Sequence, residues 1–66
     1  QQTGETIGEA LLRVRMDAAK KLLKNTSLFI SEIALETGYT DISYFSRIFK
    51  RTAGMSPAEY RKRTQR

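Results

Sequence analysis

The stretch ISEIALETGYTDISYFSRIFKR, residues 30–51, joins two short segments of helical periodicity through a turn that contains one glycine. The first segment is predicted to be a helix over 31–37. Its apolar residues Ile30, Ile33 and Ala34 are predicted to face inward, with Leu35 as a further candidate. Gly38 follows, and glycine readily adopts the positive φ that the chain needs just after a helix. Two helices joined across so short a turn form a helix-turn-helix, and this arrangement constrains the fold most strongly.

The second helix of the pair is predicted over 42–52, with Asp41 or Thr40 as its N-cap. Tyr39 is predicted to be a core residue at the turn. Three apolar residues of the helix recur at i, i+3 and i+4 and are predicted to face the same core: Phe45, Ile48 and Phe49.

The opposite side of this helix carries short polar residues near its start and cations further along. This layout suits a helix in the major groove, where the N-terminal residues meet base edges and later cations meet phosphates. The predicted base-facing residues are Thr40, Asp41, Ile42, Ser43, Ser46 and Arg47. The predicted phosphate-facing residues are Ser31, Tyr44, Lys50 and Arg51.

Several of these residues have an alternative role. Arg47 is the predicted guanine reader, because a guanidinium can bond two acceptors of that base at once. Its alternative is an ion pair with Glu36 or Asp41 inside the domain. Tyr44 either stacks on the sugar-phosphate backbone or completes the core, and the serines of the helix are either DNA contacts or simply solvated.

A first helix is predicted over 6–24, opened by a capping box at Thr6 and Glu9. Its apolar residues span about 200° of the circumference, against ~100° for an ordinary surface helix. Such a helix needs packing partners on two sides. Arg15 falls inside this arc, either as a side chain whose end reaches solvent or as half of a buried or interfacial ion pair that locks this helix to another part of the protein. The apolar residues are Ile7, Leu11, Leu12, Val14, Met16, Ala18, Ala19, Leu22 and Leu23.

A short last helix is predicted over 57–62, because Ser56 and Glu59 form a second capping box around Pro57. Tyr60 is its predicted core anchor. The basic residues at its end are predicted to fray: Arg61, Lys62, Arg63 and Arg66. The four predicted helices make a small all-α, homeodomain-like bundle.

The composition argues against catalysis. The chain has no cysteine and no histidine, which removes thiolate chemistry, the usual zinc ligand sets and any Ser-His pair. The seven carboxylates are scattered among cations. We therefore predict that the protein is not an enzyme and uses no metal or cofactor.

Twelve Lys and Arg against seven Asp and Glu give a net charge of +5, which favours nucleic acid or, as an alternative, an anionic membrane surface. The membrane alternative would use helix 6–24, but Glu9 and Asp17 on its polar face suit a packed helix better. No stretch approaches the ~20 apolar residues of a membrane span, and no signal-peptide pattern is present. The predicted location is the cytoplasm.

The pattern I-S-E-I-A-x-x-x-G-Y-x-D-x-S-Y-F-S-R-x-F-K-R-x-x-G-M-S-P-x-E-Y-R, residues 30–61, resembles the signature of AraC/XylS-type bacterial transcription regulators. Segment 11–23 is similar to that family's linker helix. The resemblance implies double-stranded DNA as the partner and places the family's recognition positions on the six base-facing residues, with Ile42 replacing a frequent polar residue. Contact with RNA polymerase or another protein through the same fold is the alternative function.

That family's DNA-binding domain has two helix-turn-helix units joined by the linker helix. By resemblance, residues 1–5 are the tail of a missing first unit, 6–24 the linker helix and 25–66 the second unit. A faint repeat agrees, because the same hydroxyl–glutamate capping pattern follows Gly4 and Gly54; coincidence is the alternative. The resemblance also implies an effector or dimerisation domain elsewhere in the parent protein.

Overall fold

The computed structural model describes residues 6–65, and in that range the chain forms four α-helices and no β-strand. The predicted all-α bundle is confirmed, and each helix lies within two residues of its predicted bounds. The predicted tail at 1–5 and the predicted frayed Arg66 lie outside the described residues. The helices are α1 (Ile7–Asn25), α2 (Ile30–Glu36), α3 (Ile42–Ala53) and α4 (Pro57–Thr64).

α1 begins with the predicted capping box. The Thr6 hydroxyl accepts a hydrogen bond from the Glu9 amide at 3.0 Å, and the Glu9 carboxylate accepts one from the Thr6 amide at 2.9 Å. Two backbone donors that have no partner inside the helix are thereby satisfied. The first residue of the helix is fixed by this local chemistry alone.

The wide apolar arc of α1 is covered on one side. That side packs against α2 and α4, and its buried residues are Met16, Ala19 and Leu23. The other side carries exposed apolar residues: Ile7, Leu11 and Val14. Within the described residues α1 is therefore packed on one side only, although its apolar arc predicts packing on two.

α2 ends in the turn that the sequence predicts. Gly38 has φ +100. The Tyr39 amide donates to the Ala34 carbonyl at 2.8 Å, and the Gly38 amide donates to the Leu35 carbonyl at 3.1 Å. This pair of bonds is a Schellman motif, which satisfies two carbonyls at the end of a helix and turns the chain sharply.

The aromatic residues form a continuous row through the core. Phe45 and Phe49, on the inner side of α3, are fully buried. Ring centroids are 5.5 Å apart for Tyr39 and Phe45, 6.0 Å for the two phenylalanines, and 5.6 Å for Phe49 and Tyr60. The row connects the turn, α3 and α4, and the predicted core roles of these four residues are confirmed.

The passage from α3 to α4 is local. The Gly54 amide donates to the Lys50 carbonyl at 2.8 Å, with φ +82 at the glycine. The Ser56 hydroxyl accepts a hydrogen bond from the Glu59 amide at 3.1 Å, and Pro57 occupies the first position of α4. α4 thus begins where the capping pattern predicts it.

The end of α4 is packed, which corrects the prediction that its basic residues fray. Arg61 donates from Nε to the Leu23 carbonyl at 3.2 Å and from Nη2 to the Thr26 carbonyl at 3.1 Å. The Gln65 side-chain amide donates to the same two carbonyls at 2.8 and 2.6 Å. The last carbonyls of a helix have no intrahelical donor, so these side chains satisfy them and hold α4 to α1.

Candidate nucleic-acid interface

The outward side of α3 carries a row of polar and cationic side chains. At about 100° per residue, Ser43, Arg47 and Lys50 lie within about 60° of one another and opposite the two buried phenylalanines. All three are exposed. We call these three residues the polar row of α3. It presents a hydroxyl near the start of the helix and cations further along, as the sequence predicts.

α3 has the dimensions and the support that insertion into DNA requires. A helix with its side chains is about 10–12 Å across, and the major groove is about 12 Å wide. Phe45 and Phe49 are fully buried behind the helix and fix it to the rest of the bundle. Its outer side is therefore both accessible and held in place.

Arg47 is exposed on the second turn of α3. Within residues 6–65 no ion pair joins its guanidinium to Glu36 or Asp41. The alternative of an ion pair inside the domain is therefore wrong. The guanidinium faces solvent, where two acceptors of one base edge could be reached.

Asp41 is the N-cap of α3, which decides between the two predicted capping residues. One of its carboxylate oxygens, Oδ1, accepts a hydrogen bond from the Tyr44 amide at 3.1 Å. Thr40 lies before it in the turn and is exposed, as is Asp41 itself. Both residues are therefore accessible and immediately precede the first turn of α3.

Tyr44 lies at the border between core and surface. Its side chain is 47% exposed, and its ring centroid is 5.9 Å from that of Tyr39, with the rings tilted by 49°. The two predicted roles of Tyr44 are thus compatible, because one part of the ring packs on the core and the rest is accessible.

The remaining candidates differ in accessibility. Ile42 is half exposed at the first position of α3. Ser46 is half-buried and lies on the flank of the helix toward the core, whereas Arg51 is exposed beside the polar row. Ser31 is half-buried on α2 and belongs to a different helix from the other predicted phosphate-facing residues.

A contact between α1 and the turn was not foreseen in either predicted role of Arg15. Its guanidinium carbon lies 5.2 Å from the centroid of the Tyr39 ring, which is a cation–π arrangement. Arg15 also lines an open groove of about 490 Å³ between α1 and the start of α3, together with Leu11, Asp41 and Tyr44. No pattern in the sequence pairs residues this far apart.

Two further observations concern other classes of site. Among residues 6–65, no group of carboxylate side chains is arranged to hold a metal ion. None of the described helices combines the length and the apolar character that crossing a bilayer demands.

Comparison with known proteins identifies the family. The sequence matches a helix-turn-helix domain over residues 1–63. The HTH-type transcriptional activator RhaR of Klebsiella pneumoniae is 43% identical over 65 residues, which are 98% of this chain and 23% of that protein. RhaR of Escherichia coli K12 is 46% identical over 61 residues, 92% of this chain and 22% of that protein. The chain belongs to the AraC family of helix-turn-helix regulators.

Solved structures agree with the AraC-family fold. The C-terminal domain of AraT, a response regulator from Geobacillus stearothermophilus, is similar with a TM-score of 0.92 and 40% identity over 96% of this chain and 52% of that one. The C-terminal domain of the two-component response regulator yesN from Fusobacterium nucleatum has a TM-score of 0.86 and 40% identity, covering 88% and 56%. A DNA-binding transcriptional dual regulator from Escherichia coli K-12 has a TM-score of 0.82 at 33% identity, covering 86% and 51%.

As an AraC-family unit, the chain is a sequence-specific DNA-binding module of transcription regulation. The relatives that it matches are regulators of transcription and not enzymes. The chain spans less than a quarter of the length of these curated relatives.

Proposed function

We propose that α3 is the recognition helix of this unit and that its first two turns enter the major groove of double-stranded DNA. The observation that carries the proposal is the exposed polar row of α3, on a helix whose opposite side is fixed by Phe45 and Phe49. A helix that reads base edges needs both features, because discrimination requires polar groups held in one place.

The base-facing roles follow from the chemistry of each side chain. Arg47 suits guanine, where a bidentate contact is worth about 1–3 kcal/mol of discrimination. The apolar Ile42 suits a thymine methyl group. Asp41 uses Oδ1 for the helix cap, which leaves Oδ2 to accept from a cytosine amino group. The three hydroxyl residues, Thr40, Ser43 and Ser46, suit either a base edge or a phosphate.

The phosphate-facing roles fall mainly on the later part of α3. Lys50 and Arg51 are exposed cations about two turns beyond Ser43, near the end of α3. Tyr44 has a partly accessible ring on the first turn of α3, and Ser31 offers a hydroxyl at the first turn of α2. Such contacts fix the register of a protein on DNA without reading its sequence.

We also propose that residues 6–24 are the linker helix, residues 25–66 the second helix-turn-helix unit, and residues 1–5 the tail of a first unit in a longer protein. The matched regulators are more than four times as long as the stretch they share with this chain. We infer that the longer protein also carries an effector or dimerisation domain and works in the bacterial cytoplasm, where the DNA is.

A protein partner is the second candidate function, and the outer side of α2 favours it. Glu32, Leu35 and Glu36 are exposed there. Their negative charge would repel phosphates, so this side suits a basic protein surface, and we propose RNA polymerase as the partner. Glu36→Lys should then reduce transcription activation while leaving DNA affinity equal or higher, in an activation assay paired with a binding assay.

The decisive experiment compares two cations of the polar row. The full-length protein selects sites from a randomised duplex library, and binding is then measured for Arg47→Ala and Lys50→Ala on selected and scrambled duplexes. Arg47→Ala should lose about 1–3 kcal/mol of discrimination, mainly at one base pair. Lys50→Ala should weaken binding to both duplexes about equally and lower the salt slope by about 1.

Arg47→Ala and Lys50→Ala can be compared directly, because each removes one positive charge from the same side of one helix. If Arg47→Ala and Lys50→Ala lower the affinity for both duplexes equally, Arg47 reads no base. If the library yields no preferred sequence at all, α3 is not a recognition helix.

A further inference from the structure

We propose that Arg15 is a positioning residue for DNA recognition. Its guanidinium holds the turn at Gly38 and Tyr39 and thereby sets the placement of the first turn of α3. The consequence for DNA rests on the proposed role of α3 as recognition helix. The contact with the turn stands on its own geometry.

The guanidinium of Arg15 fills the space above the turn. A Cβ atom at Gly38 would lie 3.2 Å from Cζ of Arg15 and 3.3 Å from Nε and Nη2. The same guanidinium carbon is 5.2 Å from the centroid of the Tyr39 ring. A Cβ at position 38 would therefore make an unusually tight contact with the Arg15 guanidinium, which also covers the ring that follows.

Tyr39 carries this contact into α3. Its side chain is 8% exposed, and its ring centroid lies 5.9 Å from that of Tyr44 and 5.5 Å from that of Phe45. Both partners belong to the first turn of α3, next to the cap at Asp41. Because interiors are close-packed, a shift of the Tyr39 ring displaces the side chains that it touches.

Arg15 extends from an anchored helix. α1 buries its inner side in the core and is tied to α4 by the bonds that Arg61 and Gln65 donate to the Leu23 and Thr26 carbonyls. The turn at Gly38 and Tyr39 is thus held from two directions: by the core residues behind α3, and by Arg15 from α1.

The chemistry of the contact requires arginine. A guanidinium is flat and weakly hydrated and stacks well on an aromatic ring, whereas the lysine ammonium is compact and strongly hydrated. Arg15→Lys therefore keeps the charge and loses the packing. A phosphate contact would show the opposite dependence, because lysine binds phosphate well as a point charge.

The test uses the full-length protein with Arg15→Lys, Arg15→Met and, as a matched control, Lys21→Met, which removes an exposed charge from the same helix. Dissociation constants are measured on the selected duplex and on a scrambled one, over a range of salt concentrations. Both Arg15 variants should lower the ratio of the two affinities about tenfold, with an unchanged salt slope. The control should keep the ratio of the unmodified protein.

A second measurement does not depend on DNA. The amides of Phe45 and Tyr60 hold equivalent positions in α3 and α4, donating to the carbonyls of the N-caps Asp41 and Ser56 at 3.0 and 2.9 Å. Arg15→Lys should speed hydrogen exchange about tenfold at Phe45 and leave Tyr60 unchanged.

Three outcomes would overturn the proposal. If Arg15→Lys keeps the affinity ratio of the unmodified protein and Arg15→Met lowers the salt slope by about 0.9, Arg15 is a phosphate contact. An unchanged affinity ratio with a lower melting temperature would make it a stabilising residue only. If Arg15→Lys changes the exchange rates of the Phe45 and Tyr60 amides by the same factor, Arg15 does not hold the turn. If the unmodified protein has no preferred duplex, the proposed function fails, and the exchange measurement alone decides the role of Arg15 at the turn.

Discussion

The two glycine turns of this unit share a backbone conformation and differ in their surroundings. Gly38 has φ +100 and Gly54 has φ +82. A Cβ at Gly38 would meet the Arg15 guanidinium at 3.2 Å, whereas a Cβ at Gly54 would meet no atom within 4 Å. Glycine is thus favoured at 38 by its positive φ and by the close approach of Arg15, and at 54 by its positive φ alone.

The difference between the two turns shows that the start of α3 is positioned by a residue from elsewhere in the chain. The first turn leads into α3 and is closed by a residue from α1, so three helices meet at the point that determines how α3 begins. The second turn leads into α4, and its hydrogen bonds join neighbouring residues. The turn in front of α3 is thus contacted by a side chain from α1, whereas the hydrogen bonds of the turn behind α3 are local.

The largest expected effect is that of Gly38→Ala. The alanine would combine an unfavourable positive φ with a tight contact to the Arg15 guanidinium, and should lower the free energy of unfolding by about 2–4 kcal/mol. Urea unfolding measures the loss. Adding Arg15→Met should recover about 1 kcal/mol, because the flexible thioether can move aside. Strict additivity of the two substitutions would mean that they do not share this space.

Gly54→Ala should have a smaller effect. The cost is the left-handed conformation alone, about 1–2 kcal/mol, and the preference for the selected duplex should be retained. Urea unfolding and the duplex-binding assay check the two statements. A loss as large as that of Gly38→Ala would remove the distinction between the turns.

The smallest effects on stability are expected at the two helix caps that follow the turns. Asp41→Ala and Ser56→Ala each remove one side-chain acceptor of an amide and should cost about 1 kcal/mol. The two variants should differ in their preference for the selected duplex. Asp41→Ala should reduce this preference, since we place Asp41 at the bases. Equal preference for the selected duplex in both variants would restrict Asp41 to its capping role.

Features that depend on neighbouring residues could be predicted from the sequence. The capping box at Thr6 needs Glu9 only three residues away, and the turn at Gly38 follows from the conformational freedom of glycine. The periodicity of Phe45 and Phe49 gave the inner side of α3 and, by subtraction, the polar row of α3. The predicted helices were correct for this reason.

Contacts between distant helices could not be predicted. Arg61 and Gln65 bond to carbonyls about forty residues earlier in the chain, and Arg15 packs on a turn more than twenty residues later. Arg61 and Gln65 are long polar side chains, for which composition and spacing indicate only solvent. The place of Arg15 inside the apolar arc suggested two roles but named no partner at the turn. The site itself was predicted as a set of residues, but the half-buried state of Ser46 depends on the packing of α3. The choice of Asp41 over Thr40 as the N-cap depends on where the helix begins.

The hydrogen bonds from α4 to the Leu23 and Thr26 carbonyls have a practical consequence. They join the end of α1 to the end of α4, so the stretch of chain that contains α2 and α3 is fixed at both ends. A tag, a protease cut or a truncation placed at residues 61–65 would remove these bonds and loosen α4, which packs on α3 through Tyr60 and Phe49. Variants of α3 should therefore be made with the carboxyl end of the unit intact.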